Sequence, residues 1–253
     1  MKPILWAATA LTAACLIGPA AAADAPAYLP AWAPALAPVY DWNGFYAGVH
    51  LGGAWQHRDT ATIDPATSGV LATGAGDQSS FAGGGQFGVN FAMWPHFMVG
   101  MEADIVGALL HDTVVASNAA GTLQVQNDNN TNVFGTARGR AGYIWDNWLF
   151  YGTGGFAWSY TEITRTQQVG VIGGAGPGTV QSLFATPTGW VAGAGVEWAF
   201  APQWTARLEY LHLDLGPTSF MFTSAGLRRD VEFTMDVFRV GLNYRFNLLS
   251  LGP

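Results

Sequence analysis

Apolar and polar residues alternate with a period of two in eight stretches of the chain: 45–55, 81–92, 97–109, 133–145, 149–162, 189–200, 205–213 and 233–246. Successive side chains of a strand point to opposite faces, so strict alternation predicts strands with one apolar and one polar face. In the last stretch Phe238, Val240, Leu242, Tyr244 and Phe246 share one face, and Arg239, Gly241, Asn243 and Arg245 the other. The third sets Phe97, Val99, Met101, Ala103 and Ile105 against Gly100, Glu102 and Asp104. The phase is lost at Leu211–Leu213 in the seventh stretch, which predicts a bulge or an exit from the apolar environment there.

The connections alternate in length. Segments 93–96, 146–148 and 201–204 are tight turns, whereas 56–80, 111–132, 163–188 and 214–232 are long and rich in Thr, Ser, Asn and Gly. Such composition predicts exposed, mobile loops. An even number of strands, each reaching the about 9–11 residues that a tilted span needs, with short turns at one end and long loops at the other, is the pattern of a bacterial outer-membrane barrel. The expected fold is therefore all-β: an eight-stranded antiparallel up-and-down transmembrane β-barrel. Trp94, Trp145, Trp148 and Trp204 flank the three tight turns, the placement expected of interfacial aromatics on the periplasmic side.

Polar faces turned inward define a second feature. Glu102, Asp104, Glu197 and Glu209 share the lumen with Arg138, Arg140, Arg207, Arg239 and Arg245. Single buried charges are expensive, so these must pair, and the planar arginine fork suits that work. Eight strands enclose a space just wide enough for side chains. The expectation is a plug of ion pairs relieved by glycine; the competing reading is a narrow charge-lined pore.

The N-terminus changes the picture of compartment. Lys2, an apolar run over 4–17 and Ala21-Ala22-Ala23 form an expected cleaved signal peptide, 1–23. A Pro/Ala-rich periplasmic leader is expected over 24–41, the barrel over 42–246 and a short tail over 247–253. Cleavage removes the only cysteine, Cys15, and the only lysine, leaving nine arginines against seventeen acids. That excludes thiol chemistry and argues against nucleic-acid binding, which needs a basic footprint. Eleven tryptophans and 33 glycines beside 11% charged residues suit a lipid-embedded barrel.

Candidate chemistry is sparse. Gly152-Thr-Gly154-Gly-Phe-Ala157 fits a dinucleotide pattern, but a strand follows where a helix is required. His50, His57, His96, His111 and His212 share no metal-ligand spacing. Asp128 and its asparagine neighbours do not form a recognisable calcium loop. His212 with Asp214, and Ser219 or Ser224 nearby, are the sole candidates for a rim enzyme. No catalytic residue, metal or cofactor is expected.

Asp41-Trp-Asn-Gly-Phe-Tyr-Ala-Gly, Gly135-Thr-Ala-Arg-Gly-Arg-Ala-Gly-Tyr, Leu149-Phe-Tyr-Gly-Thr-Gly-Gly-Phe-Ala, Gly193-Ala-Gly-Val-Glu-Trp-Ala and Arg239-Val-Gly-Leu-Asn-Tyr-Arg-Phe resemble the outer-membrane immunogenic proteins of alphaproteobacteria, in the OmpA-like β-barrel (small porin family) group. The resemblance runs from about Asp41 to Phe246. It implies an abundant, often antigenic surface protein of a Gram-negative outer membrane with both termini periplasmic, serving envelope integrity. It carries no catalytic residues to transfer. Implied partners are outer-membrane lipid, lipopolysaccharide and the barrel assembly machinery; the expected state is a monomer or weak homo-oligomer. By that resemblance, relatives commonly end on the aromatic residue read during assembly. Here Tyr244 and Phe246 are the candidates, although the chain continues to Pro253.

Overall fold

The computed structural model describes residues 40–246 apart from 65–68, 119, 172–175 and 223–226. The expected signal peptide, residues 24–39 of the leader and the tail lie outside the described residues.

Among the described residues, nine strands form a single antiparallel sheet: β1 (Gly44–Asp64), β2 (Gly69–Trp94), β3 (Phe97–Ser117), β4 (Gln124–Trp145), β5 (Trp148–Val169), β6 (Val180–Ala185), β7 (Thr188–Ala201), β8 (Trp204–Phe222) and β9 (Leu227–Phe246). Apart from β6 and β7, which both pair with β5, neighbours in the chain pair, and β1 pairs with β9 from Phe45↔Phe246 to Ile63↔Arg228, which closes the sheet on itself. β6 and β7 lie end to end along the same edge of β5, which meets Ala185 at Thr161 and Thr188 at Trp158. Pro187 sits at the join, where its missing N–H cannot continue a ladder; its carbonyl still accepts from the Ser159 amide at 3.0 Å. The ring therefore has eight staves. Closure removes the unpaired edges that hydrocarbon cannot solvate.

The three tight turns fall where the alternation placed them. Asp146 adopts φ 51°, the left-handed geometry that a two-residue hairpin requires and that Asp tolerates. Pro95 and Pro202 occupy the other two turns outside the strands. Trp94, Trp145, Trp148 and Trp204 remain 42–64% exposed around this end.

The long connections differ from expectation. Most of 56–80, 111–132, 163–188 and 214–232 is not loop but further strand, continuing the hairpins well past the apolar belt. The reason is a reversal of solvent. Along β8 the outward residues change from Leu208 and Tyr210 to His212 and Asp214, while the inward ones change from Arg207 and Glu209 to Leu211, Leu213 and Leu215. β9 does the same, with Val231, Phe233, Met235 and Val237 buried opposite Glu232, Thr234 and Asp236. On these two strands, lipid wets the outside below the boundary and apolar side chains face out; above it water does, and they face in. The lost phase at Leu211–Leu213 is this reversal. Leu211 and Leu213 continue the inward face without a bulge, and the ladder shifts later, between Asp214 and Pro217.

Candidate functional site

The lumen is filled in three layers. At the turn end, the residues before β1 dock into the mouth. Trp42 is 3% exposed and packs with Met98, Ile144, Leu149, Tyr151 and Ala199, with Tyr40 against its ring at 4.8 Å. The Tyr40 amide donates to Asn147 Oδ1 at 3.3 Å, and the Arg245 guanidinium lies 5.2 Å from the Tyr40 ring. Tyr40 and Asp41, expected to belong to a loose leader, thus form part of a stopper, because their aromatic neighbours find an apolar ring around the mouth.

Above it lies the charged layer. Glu102 is its centre: Oε1 receives Arg138 Nη2, and Oε2 receives Arg207 Nη1 at 2.6 Å and Arg140 Nη1 at 3.4 Å. Arg138 also reaches Asp104 Oδ2 at 2.9 Å and Glu209 Oε1 at 3.2 Å. Arg239 bridges Asp104 at 2.8 Å and Glu209 at 2.6 Å, and Arg140 holds Glu197 at 2.8 Å. These eight side chains are at most 4% exposed. Four cations meet four anions, so the layer is neutral as a unit. β3, β4, β7, β8 and β9 each supply members at matching heights; Glu102 stands directly opposite Arg138 in the β3–β4 register, and Glu197 opposite Arg207 across β7–β8.

Arg245 does not join them. It has the inward phase but sits one strand end away, at the mouth, where Nη1 contacts Asp41 Oδ2 at 3.0 Å. Alternation reports which face a residue occupies, not its height in the barrel. Burial by itself would raise the Asp41 carboxyl, but hydrogen bonds from Asn43 and the nearby Arg245 charge hold it below its ordinary range.

Neutral groups extend the network. Tyr46 Oη donates to Glu102 Oε2 at 2.6 Å and accepts from Arg140 at 2.7 Å; Tyr151 Oη donates to Glu209 Oε1 at 2.8 Å. The Arg140 guanidinium stands 4.2 Å from the Tyr151 ring. Asn243 donates to Glu197 at 2.8 Å and accepts from Gln86 at 2.7 Å, while His50 lies between Gln86 at 2.5 Å and Arg239 at 3.3 Å. Thr205 donates to Glu197 as well. Sequence reasoning about charges alone omits Tyr46, Tyr151, Gln86, Asn243 and Thr205; their inward phase was the available signal. The glycines make room: a Cβ on Gly88 would stand 2.4 Å from the Tyr46 ring, and one on Gly195 would stand 2.5 Å from Tyr151 Oη.

The third layer, in the water-facing extension, is an apolar cluster with buried polar side chains beside it. Val106, Leu110, Phe134, Ile163, Val191, Leu211, Leu213, Leu215, Val231 and Phe233 form one buried cluster. Arg58 and Arg165, which the loop expectation had placed in solvent, point inward there. Arg58 bonds Gln56 at 2.9 Å and stands 4.9 Å from the Phe233 ring; Arg165 bonds Gln167 at 2.9 Å.

Outside the barrel, His212 pairs with Asp236 at 2.8 Å and not with Asp214, whose Oδ1 accepts from the Gly216 amide at 2.8 Å. Tyr210 donates to the same Asp236 oxygen at 2.6 Å, and Ser219 donates to Asp230 at 2.6 Å. The cross-strand neighbour wins because opposite outward residues on β8 and β9 are closer than successive outward residues on one strand. Ser224 lies outside the described residues. No group of three or more potential metal ligands occurs among the described residues. Tyr244 Oη donates to Gln203 at 3.0 Å, and Phe246 stacks near Phe45 at 6.4 Å on the lipid-facing rim.

The family model for an outer membrane protein β-barrel domain matches residues 8–246. The "31 kDa outer-membrane immunogenic protein" of Brucella melitensis is 32% identical over 218 residues, covering 82% of this chain and 85% of that protein. The 25 kDa outer-membrane immunogenic protein of the same species is 28% identical over 209 residues, 83% of this chain and 81% of that one. Among solved structures, the outer membrane protein OprG of Pseudomonas aeruginosa aligns with TM-score 0.50 at 13% identity, covering 81% of this chain and 97% of its own.

Proposed function

The chain belongs to the outer membrane protein β-barrel domain family, and on that basis we propose that it is a non-conducting structural barrel. It is an integral protein of a Gram-negative outer membrane. In this reading it stiffens the envelope and displays acidic outer hairpins, without catalytic activity. One observation carries the reading: the neutral layer of Glu102, Asp104, Arg138, Arg140, Glu197, Arg207, Glu209 and Arg239 fills the cross-section with side chains at most 4% exposed. A hydrated ion crossing it would have to separate pairs that lack water to replace them, at several kcal/mol per charge. The stopper below and the apolar cluster above support the same reading, since a conduit needs polar lining throughout. Outer-leaflet lipid and lipopolysaccharide are the proposed partners of the exposed apolar belt, and the assembly machinery that of the rim bearing Tyr244 and Phe246.

Liposome swelling tests this reading. Vesicles carrying the purified barrel should swell in arabinose or glycine no faster than protein-free vesicles. Swelling that scales with protein content would overturn the structural role in favour of a pore.

A further inference from the structure

Strand pairing sets the outward side chains of a barrel in rows that run across the sheet. One such row is Val49, Leu242, Ala206, Trp198 and Trp148, each opposite the next on β1, β9, β8, β7 and β5. The row above it, farther from the tight turns, is Leu51, Val240, Leu208 and Val196. Between the two rows the lipid-facing wall holds an apolar groove of 620 Å³, within the size range of sites that take small organic ligands. The inward residues His50, Gly241 and Arg207 lie between the rows in the register and form its floor.

Ala206 makes the hollow. It is the one small side chain of its row and is half-buried, while Trp198, Trp204, Leu208 and Leu242 around it stand 39–45% exposed. Aromatic rings bound the groove on the turn side. Trp148 and Trp198 stack at 5.8 Å, and Trp204 meets Tyr244 edge-on at 5.0 Å. Tyr244 is tied in turn to Gln203 at 3.0 Å. These rings are placed before anything binds, so an occupant orders few protein groups.

Inside a membrane, hydrocarbon or another protein must fill a space lined in this way. A second copy inserted in the same sense is related to the first by an axis along the membrane normal. An isologous contact on this face then sets groove against groove, hollow on hollow, which close packing disfavours. A flexible acyl chain fits the shape instead.

We propose that the groove over Ala206 is a binding site for an acyl chain of a phospholipid in the periplasmic leaflet. The tight turns mark that side of the membrane, and lipopolysaccharide occupies the opposite leaflet. The chain lies over Ala206 between Trp204 and Leu208. Its ester groups reach the level of Trp148 and Trp198, whose indole N–H groups donate to them. The inference rests on the wall facing lipid, as the proposed function does, but not on a sealed lumen. Vesicle swelling would therefore overturn that function and leave this site standing.

Native mass spectrometry of the full chain, extracted with mild detergent from vesicles of palmitoyl-oleoyl phosphatidylethanolamine, tests the proposal. Wild type should keep a bound phospholipid through mild collisional activation. Ala206→Trp, which fills the groove, should lower the lipid-bound fraction several-fold. Ala141→Trp, at an exposed lipid-facing position of β4, should leave it unchanged. Heat-modifiable migration of each variant shows that its barrel is closed, and Ala206→Leu carries the same test if Ala206→Trp does not close. Equal retention by wild type and a closed Ala206 variant would overturn the proposal. A dimer that the Ala206 variant dissolves would assign the groove to a second copy instead. Preferential retention of lipopolysaccharide, when both lipids are offered, would contradict the assigned leaflet.

Discussion

Glu102 accepts from Arg138, Arg140 and Arg207 and lies 3.6 Å from Arg239, so its loss strands several buried cations at once. Glu102→Ala should destabilise the barrel by about 3–5 kcal/mol, the usual cost of removing one partner from a buried pair. The measurement is the denaturant midpoint at which the folded band disappears from unboiled gels. An unchanged midpoint would mean the network is already hydrated. At the water-facing end, His57 behaves differently. Its hydrogen bond to Asp77, together with the charges of Asp77 and Asp59 and against a small desolvation, raises its pKa. A raised imidazole pKa contributes stability that is complete below the unfolded value and is lost as pH rises through the folded one. Asp77→Asn should therefore bring the His57 midpoint down in an NMR titration and flatten the pH dependence of β1–β2 hairpin protection. An unmoved midpoint contradicts the assignment. Which residues line the lumen was readable from phase alone, for Glu102 as for Arg239. That Arg245 belongs to the mouth, and His212 to Asp236, was not, because height and cross-strand register depend on pairing that a single strand does not encode.

At the scale of elements, the periplasmic half of each strand was legible because lipid and water impose opposite polarity on its faces. The outer half was not. Once the strands leave the membrane the apolar face turns inward, and Thr, Asn and Gly become acceptable outside, so 214–232 reads as loop although Val231 and Leu215 are buried. The segment ahead of β1 was hidden for another reason: Trp42 is a single anchor without periodicity, and only the ring of Met98, Ile144 and Leu149 gives it a place. Trp42→Ala should cost about 3–5 kcal/mol, as for other buried large-to-small changes, and should expose the Tyr40–Arg245 contact to quencher from the turn side. Because the charged layer stands independently above it, the variant should still block solutes. A Trp42→Ala barrel of unaltered stability would show that the stopper does not pack in solution.

For the molecule as a whole, three fillings of unlike chemistry share one ring: an aromatic stopper, a neutral ion-pair layer and an apolar cluster. Each is matched to what surrounds it. The ion pairs lie at the level of the lipid-facing belt, where the wall is dry on both sides and unpaired polar groups are costly. The apolar cluster lies where water bathes the exterior and the extension must hold itself together like a soluble sandwich. Eight strands leave no spare radius between these fillings. Closure of the lumen, more than any single contact, is what the functional reading rests on. Single-channel recording in planar bilayers examines it most directly. At neutral pH in molar potassium chloride, reconstituted protein should leave the baseline current silent across the voltage range. Stable unitary steps, altered in size by neutralising Arg138 or Glu102, would contradict a sealed barrel.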